Sequence, residues 1–168
     1  MILSIVPLDK RVHIRGSFTN QHRSLQNYFR NNVTRDIDSG MAKCYVLSGE
    51  DAIVKGYYTL SSISVPNVHW DASLQEKYKP KYDVIPCTLL GRLAIDGNAQ
   101  GNGYGELLLM GALKNALAGS GRIGSFAVVV DPIDENAKAF YLKYDFIELS
   151  STTRMYLSMR KIKSLFPS

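Results

Sequence analysis

Three glycines at alternate positions, Gly101, Gly103 and Gly105, stand between an apolar run, Leu89–Ile95, and a second that begins at Leu107. Glycine reaches left-handed backbone conformations at no steric cost and lets a ligand come close to the main chain. The first amides of a helix have no partner within it and lie at the positive end of its dipole. Strand, glycine turn and helix together read as an anion site, and the chemistry is the binding of phosphate. Two familiar phosphate turns do not fit. A dinucleotide fingerprint follows the first strand of a βαβ repeat, with an acidic residue about 20 positions on. Here two strands and a helix come first, in the register Gln100-x-x-Gly103-x-Gly105. A P-loop needs Gly-Lys-Ser/Thr, which is missing. A purely structural glycine-rich helix start remains open at this level.

Arg92 is the second residue of chemical interest, a cation inside an otherwise apolar strand. Such a charge is costly unless it is paired or faces a cleft. It therefore either meets an internal carboxylate (Asp96, Glu135 or Asp83) or offers its donors to an anionic substrate. The whole chain leans the same way: 20 Lys and Arg against 15 Asp and Glu give a net charge of +5, which suits an anionic partner. His13, His22 and His69 show no spacing for a metal or a triad and read as surface residues, so no metal is expected. Cys44 and Cys87 each sit in an apolar run and read as buried, reduced thiols.

The elements that must position these residues follow from periodicity. The chain has 168 residues, 45% hydrophobic and 21% charged, which predicts one domain over residues 1–168 with a sizeable core. No run reaches membrane-spanning length and the opening Met1–Pro7 is too short for a signal peptide, so a soluble, cytoplasmic protein is expected. Lys10–Arg15 reads as a short strand or extended lead-in. Thr19 or Asn20 is placed to cap a helix with Leu25, Tyr28, Phe29 and Val33 on one face. Lys43–Leu47 and Ile53–Leu60 read as a hairpin, with Ser61–Val65 continuing or kinking the second strand. A polar connection follows from Pro66 to Pro80, and Asp71–Tyr78 is placed as a short helix. A strand is expected over Cys87–Ile95. The helix after it runs to about Ala118, with Leu107, Leu108, Leu113, Ala116 and Leu117 inward. Ser125–Val130 reads as an interior strand. A helix from about Glu135 to Tyr144 and strands at Phe146–Leu149 and Met155–Met159 complete the chain.

The segment Gln100-Gly101-Asn102-Gly103-Tyr104-Gly105, the buried strand after it, and Asn136-Ala137-Lys138-Ala139-Phe140-Tyr141 together resemble the GNAT superfamily of acetyl-CoA-dependent N-acetyltransferases. The resemblance narrows over nearly the whole chain. Phe18, the helix Leu25–Arg30, Cys44–Leu47, Gly56–Ser61 and Leu90–Asp96 are similar to the GNAT toxins of bacterial toxin–antitoxin pairs. It implies an α/β domain with a mixed central sheet flanked by helices, in which two splayed parallel strands admit acetyl-CoA. Leu93, Ala94 and Ile95 would pair with the pantetheine arm, and Gln100, Gly101, Asn102, Gly103, Tyr104 and Gly105 would hold the pyrophosphate. Asn136 would bond the coenzyme or merely cap its helix. Asp145 departs from the pattern, since relatives usually carry glycine before the phenylalanine.

The implied reaction is acetylation of the α-amine of aminoacyl-tRNA, blocking translation, with a ribbon-helix-helix antitoxin as partner and a homodimer as assembly. An α-amine with a pKa of about 8 is already partly neutral, so no carboxylate base is needed. The departing thiolate needs a proton, and Tyr141 is the candidate acid. Arg92, Lys10, Arg11, Arg15 and Arg30 are the candidate tRNA contacts. Two other functions fit the same residues: a GNAT enzyme acting on a small-molecule or protein amine, and a non-enzymatic RNA- or protein-binding module on that fold.

Overall fold

The computed structural model describes residues 1–72, 82–149 and 152–167. The expected helix over residues 71–78 lies, from residue 73 on, outside the described residues. Seven strands form a mixed sheet in the order β1-β2-β3-β4-β5-β7-β6, flanked by helices. The chain divides into two compact units, Met1–Ser61 with Leu90–Ala112, and Ser62–Leu89 with Leu113–Ser168.

In the first unit, β1 (Ser4–Pro7) runs antiparallel to β2 (Lys43–Ser48), which pairs antiparallel with β3 (Val54–Pro66). The hairpin expected between β2 and β3 is present, with a register shift at Leu47/Ser48 and Ala52 at a positive φ of 62°. Lys10–Arg15 is not a strand; it forms a turn with one parallel bridge from Ile14 to Ile53. The expected helix is three pieces: α1 (Arg23–Asn27), a π-helical turn (Tyr28–Asn32) and α2 (Val33–Ser39). Neither Thr19 nor Asn20 caps it, because His22 stands at the cap and both side chains are engaged elsewhere.

Residue alternation along β3 and β4 (Val84–Ile95) sets the two faces of the first unit. Tyr57 and Ala94 pack on one face with Phe18, Tyr28, Phe29, Val33 and Cys44. The other face takes helix α3 (Tyr104–Ser120), and two glycines allow its approach. A Cβ on Gly56 would come within 2.6 Å of Leu108, and one on Gly111 within 2.7 Å of Ile5. The inward residues of α3 are Leu108, Leu109, Ala112, Leu113 and Ala116; Leu107, expected inward, is 46% exposed.

In the second unit, β5 (Ala127–Val130) is wholly buried, as its β-branched run requires, and pairs antiparallel with β7 (Met155–Ser158). The short β6 (Ile147–Glu148) forms the edge. Trp70 anchors the core with its ring 4.7 Å from Tyr156 and 5.4 Å from Phe126. Helix α4 (Glu135–Lys143) is capped by Asp134, whose carboxylate accepts from Ala137 N. Helix α5 (Met159–Leu165) is capped by Ser158, whose hydroxyl accepts from Lys161 N.

Candidate active site

The turn that joins β4 to α3 is rigid, and its rigidity has a consistent polarity. Gln100 Nε2 donates to the Ile95 carbonyl at 3.3 Å, and Asn102 Nδ2 donates to the carbonyls of Ala99 and Gln100. From the N-terminal loop, Asn20 Nδ2 donates to the same Ile95 carbonyl at 2.9 Å. Every one of these braces occupies a carbonyl oxygen. The first helical bond is Leu107 N to Gly103 O, and the amides of residues 101–106 have no protein partner among the described residues. Acceptors that would repel an anion are therefore masked, and donors that would attract one remain available.

Gly101 and Gly103 adopt φ of +81° and +76°, and an added Cβ at either would meet nothing within 4 Å. Space lies over the turn, and the 17-residue helix behind it presents its positive end there. These residues fit the pyrophosphate of a coenzyme. The side-chain amides of Gln100 and Asn102 bond the protein's own backbone, so what these two residues have to offer a ligand is their main chain. Asn136 is exposed on the first turn of α4 and does not cap it, since Asp134 holds that role.

Asp96 is a determinant that sequence reading passed over. Its carboxylate is 7% exposed and accepts from Thr19 N (2.8 Å), Thr19 Oγ1 (3.2 Å) and Asn98 N (3.0 Å). It ties the N-terminal loop to the end of β4 and caps the short 3-10 turn Gly97–Ala99. The signal was present in Asp96-Gly97-Asn98, an aspartate able to bond the amide two residues on.

The register of β4 separates its three candidate backbone groups. Asp96 N donates to Lys55 O, so Asp96 turns its main chain toward β3. Alternation then turns Ala94 the same way, which its carbonyl oxygen beside Gly56 confirms, and turns Leu93 and Ile95 to the opposite edge. Of the three, Leu93 and Ile95 present backbone groups away from β3.

Arg92 meets none of the carboxylates considered for it. Its guanidinium carbon lies 3.5 Å from the centroid of the Tyr28 ring. No hydrogen bond or ion pair engages Arg92 among the described residues. The other basic candidates differ from it. Lys10 pairs with Asp38 at 3.5 Å and Arg11 with Asp9 at 3.2 Å. Arg15 Nη1 donates to the carbonyls of Phe29 and Arg30, and Arg30 Nε to that of Phe18.

Tyr141 lies in α4, in the second unit, 8% exposed. Its place is set by the way that helix ends. Asp145 N donates to Leu142 O and Phe146 N to Tyr141 O, with Asp145 at φ +70°. This is a Schellman motif, and its hydrophobic clasp is Tyr141 against Phe146, ring centroids 5.2 Å apart. Asp145 thus holds a left-handed conformation that glycine reaches without steric cost and an L side chain does not. The Tyr141 hydroxyl has no protein hydrogen-bond partner among the described residues. Burial raises its pKa, so the proton stays on the oxygen at neutral pH. Cys44 and Cys87 are buried free thiols, each pushed by burial up to about 12, and neither is a nucleophile. His69, read as a surface residue, has a buried Nδ1 with no hydrogen-bond partner among the described residues. Among the described residues, no His, Cys, Asp and Glu cluster could hold a metal, and no helix is long and apolar enough to cross a membrane.

A seven-stranded mixed sheet whose fourth strand ends in a carbonyl-braced glycine turn and a long helix defines an acetyltransferase of the GNAT class. A tRNA-acetylating toxin of Mycobacterium tuberculosis is 34% identical over 143 residues, covering 85% of this chain and 83% of that one. The chain belongs to the family of tRNA-acetylating toxins. Among solved structures, a tyrosine-to-phenylalanine mutant of KacT is similar at TM-score 0.90 and 28% identity, over 98% of this chain and 99% of that one. AtaT complexed with acetyl-methionyl-tRNAfMet is similar at TM-score 0.89 and 26% identity, over 99% and 100%. An AtaT tyrosine-to-phenylalanine mutant bound to acetyl-CoA and the C-terminus of the antitoxin AtaR matches at TM-score 0.83 and 25% identity, over 99% of each. No family model matches the chain.

Proposed function

We propose that this chain transfers an acetyl group from acetyl-CoA to the α-amine of an aminoacyl-tRNA and so blocks translation. The observation that carries the reading is the glycine turn, whose braces mask carbonyls and leave amides for phosphate. The amides of Gly101, Asn102, Gly103, Tyr104 and Gly105 would hold the pyrophosphate, with Leu93 and Ile95 rather than Ala94 pairing with the pantetheine. Acetyl-CoA supplies an activated acyl group as a thioester. The protein's part is to place it, to polarise its carbonyl with a backbone N–H, and to hold a proton for the departing sulfur.

Tyr141 is suited to that last task. Its hydroxyl engages no protein group among the described residues, and its raised pKa keeps it in the donating form across the physiological range. Burial makes it a weaker acid than free tyrosine, and a thiolate released into the same surroundings would be a stronger base, a shift in the same sense. Arg92 would contact a tRNA phosphate. Arg15 and Arg30 brace backbone carbonyls and have no carboxylate partner among the described residues, and Lys10 and Arg11, each beside a carboxylate, would contribute least. A cytoplasmic homodimer neutralised by a ribbon-helix-helix antitoxin completes the proposal.

The test is inducible expression of the chain and of Tyr141→Phe, with mass spectrometry of aminoacyl-tRNA. The wild-type chain should arrest growth and yield N-acetylated aminoacyl-tRNA. Tyr141→Phe should lower acetyl transfer by about 100-fold or more, the range expected when a general acid is lost. Growth unaffected by the wild-type chain, with no modified tRNA, would sink the reading.

A further inference from the structure

Of the five basic residues considered for tRNA, Arg92 is the one whose donors are uncommitted among the described residues, yet it is partly buried and held against one face of a ring. A guanidinium carries five N–H donors in its plane and no acceptor. With Tyr28 covering one face at 3.5 Å, those donors can be met only from the rim. The platform is itself anchored. Tyr28 is 6% exposed, and its hydroxyl donates to Asp36 Oδ2 at 2.8 Å. Asp36 is fixed in turn, since its backbone carbonyl accepts from Met41 N at 2.8 Å. Tyr28 opens the π-helical turn, its carbonyl accepting from Val33 N, and such turns are frequent at functional positions. Donation to a carboxylate also pushes electron density back into the ring, which strengthens its attraction for a cation over its face.

We propose that Tyr28 and Asp36 are positioning residues that preorganise Arg92 to grip one phosphate of the tRNA backbone in the plane of its guanidinium. The inference rests on the tRNA reading above. A cation with no hydrogen bond among the described residues, in a partly buried strand, is unfavourable unless water or a ligand completes it. A planar fork matches a phosphate in a way a lysine would not. The phosphates of coenzyme A present the same chemistry, so both substrates enter the test.

The measurement is tRNA binding by the full chain between about 50 and 300 mM salt, beside kcat and KM for each substrate. Arg92→Ala should weaken binding about 10-fold at low salt and flatten the plot of log Kd against log salt by about one phosphate, a slope of roughly 0.7–0.9. Tyr28→Leu should reproduce most of that flattening, and the double variant should lose nothing further. Tyr28→Phe, which keeps the ring and cuts its tether, should weaken binding about two- to threefold, and Asp36→Ala should match it. In every case the KM for aminoacyl-tRNA rises while kcat and the KM for acetyl-CoA stay put. A folded Tyr28→Leu with the wild-type slope, losses that add independently in the double variant, or a change confined to the acetyl-CoA KM would each overturn the proposal. Should Tyr28→Leu fail to fold, Tyr28→Phe and Asp36→Ala binding as tightly as wild type would overturn it as well. Wild-type binding that ignores salt would take down the tRNA reading along with it, which distinguishes the two failures.

Discussion

The glycine turn and the Tyr141 clasp are both held rigid, by opposite means. Around the turn, polar side chains from Asn20, Gln100 and Asn102 donate to carbonyls, and Asp96 gathers the loop amides. Around Tyr141, aromatic rings do the holding: Phe140 at 5.3 Å and Phe146 at 5.2 Å, with no hydrogen bond to the hydroxyl among the described residues. A turn that binds anions must keep N–H groups free and tolerate water, so its order comes from bonds that use the other half of each peptide. A tyrosine that holds a proton must keep its hydroxyl uncommitted, so its order comes from packing that touches only carbon. On the proposed function, each region is stabilised through the groups its chemistry would not need.

Alkaline titration should give the largest effect and tell the two modes apart. Burial raises Tyr57 and Tyr141, burial together with the Asp36 bond raises Tyr28, and both thiols are pushed up to about 12. A group whose pKa is higher folded than unfolded contributes its full stability below the unfolded value and loses it as pH climbs toward the folded one. With unfolded references of about 8.5 for Cys and 10 for Tyr, stability should be flat from about pH 7 to 8 and then fall steadily. Urea midpoints across about pH 7–11 check this. Tyr141→Phe should blunt the decline above about pH 10. An unchanged decline would mean that the clasp is wetter than its packing implies.

Asp96→Ala tests the polar side of the contrast. It strands the Thr19 amide and hydroxyl and the Asn98 amide, at a cost of about 2–3 kcal/mol. A loss of less than about 1 kcal/mol, read from the urea midpoint, would show water replacing these bonds without penalty. Gly103→Ala follows in size. Its Cβ meets nothing in the protein, so the loss of about 1–2 kcal/mol comes from the left-handed backbone alone. Because the Cβ enters the space over the turn, the KM for acetyl-CoA should rise while kcat holds. A rise in neither KM nor instability would remove the turn from the coenzyme site.

Much of this was legible in the sequence, and the failures share a cause. The hairpin, the interior strand and the glycine turn follow from period, β-branching and glycine spacing, which are local. The sequence also marked Arg92 as an anomaly in its strand. What it could not supply was the partner, since Tyr28 is far from Arg92 along the chain and aromatic residues on a helix read as core. The long-range roles of Asp96 and Asn20, which the sequence offered only as an Arg92 partner and a helix cap, were out of its reach for the same reason: their bonds to Thr19 and to Ile95 span 77 and 75 residues. The π-helical turn left no periodic trace, because one widened turn shifts the pattern too little to register. Leu107 and Leu109 were exchanged because adjacent leucines on α3 blur which face is inward.

Asp145 offers the smallest effect and the sharpest discrimination. If order around Tyr141 comes from ring packing and the Schellman bonds, the aspartate side chain contributes little, and its one charged neighbour among the described residues, Lys161 at 4.0 Å, is an exposed pair worth almost nothing. Asp145→Gly should relieve about 1 kcal/mol of left-handed strain and give back part of it through the freer unfolded chain, for a net gain of about 0.5 kcal/mol. kcat should not change, because the Tyr141–Phe146 contact and the two amide bonds that close the helix survive. Asp145→Ala, which keeps the strain, should gain nothing. A fall in kcat in the glycine variant, with stability raised as expected, would show that a freer residue at this joint loosens Tyr141. The clasp would then owe its precision to backbone stiffness at Asp145 as well as to its rings, and the contrast with the glycine turn would narrow to the polarity of the braces.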